Sequence, residues 1–163
     1  MAVQIPLGGG GFTLVDDEDA EEVLGRRWVR VETKAGAYAT HYFRYDGKVN
    51  AIKLHRFLLM PAAGFVVDHI NHDGLDNRRE NLRVISQKEN LQNRRGANSR
   101  SSTGVLNVQL RAGGRYLVIL RLNGRQTLIG TFRTLEDAAR VAAEARARLL
   151  PFSAEARQGK ETP

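Results

Sequence analysis

One stretch of the chain places an acid, an imidazole and several amides close together: VVDHINHDGLDNRRENLRVISQKENLQNRR, residues 66–95. Asp68 and His69 are adjacent in it, and Asn90 follows later. Carboxylate and amide oxygens are ligands for a hard divalent cation. A histidine beside such a cation can take a proton from water. We therefore hypothesise a site for phosphodiester hydrolysis, in which Asp68 and Asn90 bind the metal and His69 activates the water.

The residue patterns around these side chains predict a strand, a loop, a second strand and a helix. FVVDHI is β-branched and apolar and predicts a strand that ends at the acid–imidazole pair, and LRVIS predicts the second strand. Ser86 lies three residues before Glu89, a capping-box pattern for a helix that begins at Gln87 and stops near Gly96. Adjacent strand residues point to opposite faces, so the acid and the imidazole share one cleft only at a strand end or a bulge.

The region before this stretch has the pattern of a mixed α/β domain. An acidic start and a glycine stop predict a short helix from Glu18 to Leu24. RRWVRVET and AYATHYFRY alternate as strands do, and the Asp-Gly pair in YDGK predicts a hairpin turn. LHRFLLM predicts a second short helix before Pro61.

The region after the stretch has the pattern of a second, smaller domain. GANSRSSTG, at Gly96–Gly104, has the composition of a flexible linker. Three strand-like runs follow, at Val105–Arg111, Arg115–Leu122 and Gln126–Phe132, with turn signals between them. A capping box then opens the Ala-rich helix LEDAARVAAEARARLL. The segment beyond Phe152 is predicted to be frayed.

Composition and charge limit the functional classes. The 163 residues are 42% hydrophobic, which is enough for a core, and the absence of cysteine excludes disulfides and thiolate zinc sites. No signal peptide and no membrane-spanning run is visible in the sequence. The net charge is +7, and residues 99–163, with eleven basic and five acidic side chains, carry +6 of it. A basic domain can bind a polyanion such as nucleic acid, although a solubilising surface explains the same charge.

The quoted stretch resembles the HNH endonuclease motif of the phage and intron-homing type, and with the upstream VDDEDAEEV and LHRFLL the resemblance covers roughly residues 5–95. It implies a ββα-metal fold in which His69 is the general base and Asp68 and Asn90 bind a single divalent cation, Mg²⁺ or Mn²⁺. Asn81 would brace the loop that holds the histidine. The products would carry 5′-phosphate and 3′-hydroxyl ends. A calcium-binding EF-hand loop is rejected, because a histidine stands at the first ligand position and a strand precedes it.

Residues 102–150 resemble the APETALA-two/ethylene-response-factor DNA-binding domain, in the pieces STGVLNV, RYLVILRLNGR, IGTF and TLEDAARVAAEARARL. The resemblance implies a three-stranded sheet on one helix, with the sheet facing the DNA major groove. Arg111 and Arg121 match arginine contacts of that family. Gln109 and Gln126 stand where arginine is usual, which argues against the plant-type sequence preference. A sheet that faces a protein partner is the alternative for this domain.

Together these patterns predict an α+β chain with four parts. They are an HNH nuclease domain with its N-terminal extension at residues 1–95, with a ββα-metal core at about 64–95, a linker at 96–103, a DNA-binding domain at 104–152, and a flexible tail at 153–163. The predicted partner is double-stranded DNA, without a membrane, and the protein is expected to be a monomer or weak dimer, cytoplasmic and phage-encoded or bacterial. The predicted DNA contacts are Arg78, Arg79, Asn93, Arg94, Arg95, Gln109, Arg111, Arg115, Arg121, Arg125 and Gln126.

Two other functional classes stay open at this point. A DNA-binding regulator could keep the nuclease fold without cleaving. An RNA-binding or protein-interaction module would show neither cleavage nor dependence on divalent ions. The remaining histidines are weaker candidates: His41 and His55 are expected to be structural or to touch phosphate, and His72 to be solvated.

Overall fold

The computed structural model describes residues 1–94, 96–98 and 100–158. The chain forms two compact units, Met1–Gln87 and Lys88–Pro163. This division places residues 88–95, which the sequence assigned to the nuclease domain, in the second unit. Within the described residues, no helix is both long and apolar enough to cross a membrane.

The first unit consists of three small antiparallel sheets with two short helices. Its elements in chain order are β1 (Ala2–Pro6), β2 (Phe12–Asp16), α1 (Asp17–Leu24), β3 (Val29–Thr33), β4 (Gly36–Tyr45), β5 (Lys48–Lys53), α2 (Leu54–Leu59), β6 (Phe65–His69), a single 3₁₀ turn (Arg79–Asn81) and β7 (Leu82–Ser86). The strand orders are β1-β2, β3-β4-β5 and β6-β7.

The hairpin turns follow from the turn residues. Asp46 and Gly47 join β4 to β5 with φ values of 50° and 69°, the left-handed pair that an Asp-Gly hairpin turn requires. The predicted helices α1 and α2 are present, and so are the strands on either side of the Asp-Gly turn. The β1–β2 hairpin has no counterpart among the predicted elements.

The core of the first unit lies between α1, α2 and the strands. Trp28 is 2% exposed at its centre, and its indole nitrogen donates to the Val23 carbonyl oxygen at 2.9 Å. Val15, Val23 and Leu54 are fully buried around it. β2, near the start of this unit, is hydrogen-bonded to the loop near its end. The Leu14 backbone nitrogen donates to the Leu75 carbonyl oxygen, and the Leu14 carbonyl oxygen accepts from the Asn77 backbone nitrogen.

The second unit is a three-stranded antiparallel sheet packed on one helix. Its elements are β8 (Val108–Arg111), β9 (Arg115–Leu122), β10 (Arg125–Phe132), α4 (Leu135–Leu149) and α5 (Ala154–Gln158), and α3 (Gln87–Asn90) spans the boundary before them. The strand order is β10-β9-β8. Thr134 caps α4 by accepting from the Asp137 backbone nitrogen.

Small side chains let α4 approach the sheet closely. Ala138, Ala142 and Ala145 recur at helical spacing and are buried against Val118 and Leu120 of β9. The predicted alanine-rich helix and three strands are therefore present, although the first strand begins at Val108 and not at Val105.

Three predicted boundaries differ from the structure. The helix predicted from Gln87 to near Gly96 ends at Asn90, after a single turn. In the segment predicted as a linker, the Thr103 hydroxyl donates to the Val108 carbonyl oxygen at 2.9 Å, so part of it is tied to the sheet. The predicted tail contains α5, because Glu155 forms an ion pair with Arg146 of α4. The last residues, 159–163, lie outside the described part.

Candidate active site

Asp68 lies on the β6–β7 ribbon and is held by an arginine. The ladder is regular to its end, with Asp68 opposite Arg83 and His69 opposite Leu82, so the strand end carries no bulge. The Asp68 Oδ2 accepts from Nε and Nη2 of Arg83 at 2.9 and 2.7 Å. The side chains of Asp68 and Arg83 are 10% and 18% exposed, so this ion pair is largely shielded from solvent.

His69 lies on the other side of the strand from Asp68, in a buried aromatic pocket. It is 6% exposed, and its Nε2 lies 3.2 Å from Oδ1 of Asn77. The ring of His55 from α2 meets it edge-on at a centroid distance of 4.8 Å, and the ring of Tyr38 from β4 lies at 6.0 Å. Two elements distant in sequence, α2 and β4, together with the loop that follows β6, therefore fix the position of this imidazole.

The surroundings keep both buried histidines neutral near pH 7. Burial lowers the pKa of His69, although the Asn77 hydrogen bond and the nearby carboxylates act in the opposite direction. Burial is the main reason that the pKa of His55 falls to about 3, and the neighbouring Lys53 and Arg56 act in the same direction, as His69 does whenever it is protonated. A neutral imidazole can accept a proton, so His69 is in the protonation state that a general base requires.

Two cations, Lys53 and Arg56, lie near the pocket that holds His55 and His69. Lys53 lies 3.7 Å above the Tyr38 ring, and burial, followed by the charge of Arg56, lowers the pKa of Lys53. Neither Lys53 nor Arg56 forms an ion pair with a carboxylate within the described residues. His55, which the sequence left as structural or phosphate-touching, therefore contacts His69 and lies within electrostatic reach of both Lys53 and Arg56.

Asn81 ties together the loop between β6 and β7. Its Oδ1 accepts from the Asn71 backbone nitrogen at 2.9 Å, and its Nδ2 donates to the Asp76 carbonyl oxygen at 2.7 Å. Its own carbonyl oxygen accepts from Ile70 at 2.8 Å. A side chain 6% exposed thus spans both arms of the loop that follows His69. These hydrogen bonds are consistent with a brace for the loop, and the role that the family resemblance implied for Asn81 stays a prediction.

Asn90 and Asn93 lie in the second unit. Asn90 is the last residue of α3, and its role as a metal ligand stays a prediction from the sequence. Asn93 is 4% exposed, and its Oδ1 accepts from Nη2 of Arg157 at 2.8 Å. This contact gives Asn93 a structural role beside the DNA contact that the sequence suggested for it.

Arg78 and Arg79 form ion pairs with carboxylates of their own unit. Arg78 makes two hydrogen bonds of 2.8 Å to Asp76 and also pairs with Glu80. Arg79 makes two bonds, of 2.9 and 2.7 Å, to Asp19 of α1. Both charges are used within the fold, and the predicted DNA contacts of these two arginines stay a prediction.

The oxygen donors suit a hard divalent cation. Asp68 offers a carboxylate, the type of oxygen ligand that such a cation prefers, and in this structure its Oδ2 accepts from Arg83. In the described ranges, no group of three or more His, Asp or Glu side chains is placed to hold a metal.

A basic cleft of about 530 Å³ lies in the second unit, between the segment before β8 and the outer face of the sheet. Arg94, Arg100, Arg111 and Arg121 line it, with Gln109 and Gln126, and no Asp or Glu is among the described lining residues. No carboxylate pairs with these four arginines in the part of the chain that the structure describes. The cleft is therefore an uncompensated cationic surface.

The sheet separates the predicted DNA contacts into two faces. Gln126 is opposite Arg121, and Arg115 is opposite Arg111, so these four share the face that points away from α4. Arg125 is opposite Leu122, which packs toward α4, so Arg125 belongs to the other face. The sequence grouped all five together. Arg95, the remaining predicted contact, lies outside the described residues.

Sequence reasoning missed several residues around His69. Asn77 stood in the quoted loop without an assigned role, and Tyr38, Thr13 and Arg83 were not considered. Thr13 and Tyr38 are far from the motif in sequence, and no local pattern marks them. Arg83 had a signal, since its place in the second predicted strand allowed it to lie opposite Asp68.

The comparisons with known proteins agree with this geometry in one segment. Comparison with curated proteins and with solved structures found no match. Residues 60–92 match the family model described as HNH endonuclease. The match includes Asp68, His69, Asn81 and Asn90, and it supports a nuclease acting on DNA at a general level. The segment that forms the β6–β7 ribbon and its loop is therefore similar to an HNH endonuclease domain.

Proposed function

We propose that this chain is a metal-dependent endonuclease that hydrolyses phosphodiester bonds in double-stranded DNA. The observation that carries the proposal is that the segment similar to an HNH endonuclease holds a buried, neutral histidine that directly follows a half-buried carboxylate in sequence, on the opposite side of the strand. The ββα-metal core would consist of β6, β7 and α3. The products would carry 5′-phosphate and 3′-hydroxyl ends.

His69 would act as the general base. Its burial keeps it neutral, and the rings of His55 and Tyr38 hold it in place, so it can take a proton from an attacking water without first losing one. Lys53 and Arg56 would attract the phosphates on either side of the scissile bond. Asn81 would keep the loop closed behind the base.

Asp68 and Asn90 would hold the divalent cation, Mg²⁺ or Mn²⁺. When bound, such a cation neutralises charge on the scissile phosphate. Arg83 holds the Asp68 carboxylate in place, and Asp68 would exchange part of that contact for the metal. Asp68→Ala should therefore weaken Mn²⁺ binding more than Asn90→Ala does, because Asp68 brings the charge. Isothermal titration tests the assignment, and unchanged Mn²⁺ affinity in both variants would contradict it.

The second unit would hold DNA through its basic cleft. Four arginines without carboxylate partners among the described residues suit phosphate, and they release counterions when they bind it. Their position on the open face of the sheet is consistent with a targeting module like the DNA-binding domain that residues 102–150 resemble.

Plasmid cleavage tests the enzymatic proposal. Purified protein with Mg²⁺ should convert supercoiled DNA to open-circle or linear product, and His69→Ala should lower the rate by about 10²–10⁴ while leaving DNA affinity nearly unchanged. His72→Asn is the matched control, because asparagine tolerates the left-handed backbone at φ 65°. A His69→Ala protein that cleaves at the wild-type rate would sink the assignment. DNA binding without cleavage at any metal concentration would indicate a regulator instead.

Salt dependence tests the cleft. Arg111→Ala with Arg121→Ala should flatten the log–log salt dependence of DNA affinity by about 0.9 for each phosphate that the variant no longer neutralises. Arg125→Ala, on the opposite face of the same sheet, should leave the slope unchanged. Equal slopes for the double variant and the wild type would mean that the cleft does not bind DNA, and the sheet would then suit a protein partner.

A further inference from the structure

Two hydrogen bonds join His69 to Thr13 of the N-terminal hairpin through Asn77, and a third joins Thr13 back to the loop at Leu75. His69 Nε2 lies 3.2 Å from Asn77 Oδ1, Asn77 Nδ2 donates to Thr13 Oγ1 at 2.8 Å, and the Thr13 hydroxyl donates to the Leu75 carbonyl oxygen at 2.7 Å. Thr13 and Asn77 are both 0% exposed. Water therefore cannot replace a missing partner anywhere between the histidine and β2.

The direction of each bond follows from the far end of this hydrogen-bond chain. The Leu75 carbonyl can only accept, so the single hydroxyl proton of Thr13 is committed to it. Thr13 Oγ1 must then accept from its other neighbour, which makes the near atom of Asn77 the amide nitrogen. The Asn77 oxygen consequently faces His69, and the imidazole nitrogen opposite that oxygen must carry a proton.

A second contact opposes the flipped amide. Asn77 Nδ2 also lies 3.4 Å from the Gly74 carbonyl oxygen. Exchanging the amide nitrogen and oxygen would place two acceptors, the Gly74 carbonyl and the committed Thr13 oxygen, against the Asn77 oxygen. In a site closed to water such unpaired acceptors cost about 1–3 kcal/mol each, so the flipped amide is strongly disfavoured.

We propose that Asn77 and Thr13 are positioning residues that hold the neutral His69 ring in the tautomer protonated at Nε2. The lone pair of the ring then lies on Nδ1, and Nδ1 is the atom that takes the proton from water. The inference rests on the proposed function for its catalytic meaning. The tautomer itself is a property of the resting protein and can be measured without catalysis.

Nitrogen-15 NMR of the full-length protein labelled at histidine reads the tautomer directly. His69 resonances are identified by their absence from the His69→Ala spectrum, at a pH where the ring is neutral. The wild type should show a protonated Nε2 and an unprotonated Nδ1. A wild-type ring protonated at Nδ1, or an even mixture of the two forms, would overturn the proposal even if the protein cleaves DNA.

Variants test whether the hydrogen-bond chain causes the preference. Thr13→Val removes the acceptor that orients Asn77, and Asn77→Ala removes the acceptor that holds Nε2–H, so both should populate the Nδ1-protonated form. Thr13→Ser should restore the wild-type pattern. If both Thr13→Val and Asn77→Ala keep the wild-type tautomer, the chain does not set it and the proposal fails. The wild-type spectrum and Thr13→Ser keep the test decisive should Thr13→Val fail to fold.

Kinetics separate this role from a merely structural one. Asn77→Ala should lower kcat by about 10²-fold, the lower end of a general base's usual contribution, with little change in KM. An equal loss in kcat and in DNA affinity would indicate general damage to the fold and would count against a positioning role. Absence of cleavage by the wild type would contradict the proposed function. The NMR measurement would still test the tautomer of His69, because it does not depend on catalysis.

Discussion

Gly74 allows the loop after His69 to lie directly on β4. A Cβ atom built at Gly74 would overlap the Ala37 carbonyl oxygen and stand 2.7 Å from two atoms of the Tyr38 ring. The obstruction is partly backbone and therefore cannot turn away. Overpacking of this kind typically costs about 1–3 kcal/mol, and a fixed obstruction places Gly74→Ala near the upper end, at about 3 kcal/mol.

Urea unfolding of Gly74→Ala measures this cost. Trp28 is the single tryptophan and lies in the core of the first unit, so its fluorescence reports on the unit that contains Gly74. With a urea m-value of about 1–3 kcal/mol/M, the midpoint should fall by roughly 1–3 M. Cleavage should also fall, because the Tyr38 ring that the new methyl group displaces packs against His69.

Gly25→Ala is the matched control in the same unit. The backbone at Gly25 has φ −65°, which alanine adopts freely, and a Cβ there would lie 3.5 Å from the nearest atom. Its stability should be unchanged or higher by up to about 1 kcal/mol. Equal urea midpoints for Gly74→Ala and Gly25→Ala would refute the steric argument and with it the close docking of the loop on β4.

Two further predictions concern ion pairs that hold elements together. Asp19→Asn should destabilise the first unit by about 1–2 kcal/mol in the same urea assay, because it weakens the two hydrogen bonds between Asp19 of α1 and the half-exposed Arg79. A change in stability below experimental error would contradict this prediction. Burial acts to raise the pKa of Glu155, but the hydrogen bonds from Arg146 outweigh it and the pKa is lowered. The stabilising contribution of Glu155 is therefore present above its unfolded pKa and is lost as the pH falls through the lower folded value. The protection of α5 amides, expressed relative to the intrinsic exchange rate at each pH, should fall on acidification below about pH 4.5 in the wild type and show no such pH step in Glu155→Gln; identical profiles would refute the linkage.

Local patterns were sufficient for most of the second unit. Alternating apolar residues, turn pairs and a capping box specify β9, β10 and α4, because each element depends on neighbours within a few residues. The pattern could not show which face of the sheet Arg125 is on, since the face of a strand residue depends on the pairing register. The register set by the β9–β10 turn puts Arg125 beside Leu122 and away from the cleft.

The inability of local patterns to report distant contacts also explains two predicted elements whose ends were wrong. The helix predicted to begin at Gln87 stops at Asn90, where side-chain patterning alone favoured two more turns. The segment predicted to be frayed forms α5, in which a partly buried glutamate contacts Arg146; the Arg146 guanidinium donates to the Leu106 carbonyl oxygen, and the residue is 7% exposed. Such partners lie far apart in sequence, and a local pattern carries no information on them.

The sequence alone determined which residues could do chemistry. Asp68, His69, Asn81 and Asn90 are predicted site residues because their types and spacing suit metal-assisted hydrolysis, and they lie within residues 60–92, which match the HNH endonuclease family model. What only the tertiary structure decided is the state of the imidazole. Its burial by Tyr38 and His55 and its hydrogen-bond chain through Asn77 depend on three elements that meet only when the chain folds. Desolvation and buried hydrogen bonds act through space at distances of a few ångströms, so the protonation state and the tautomer of His69 are properties of the packed first unit and not of the motif.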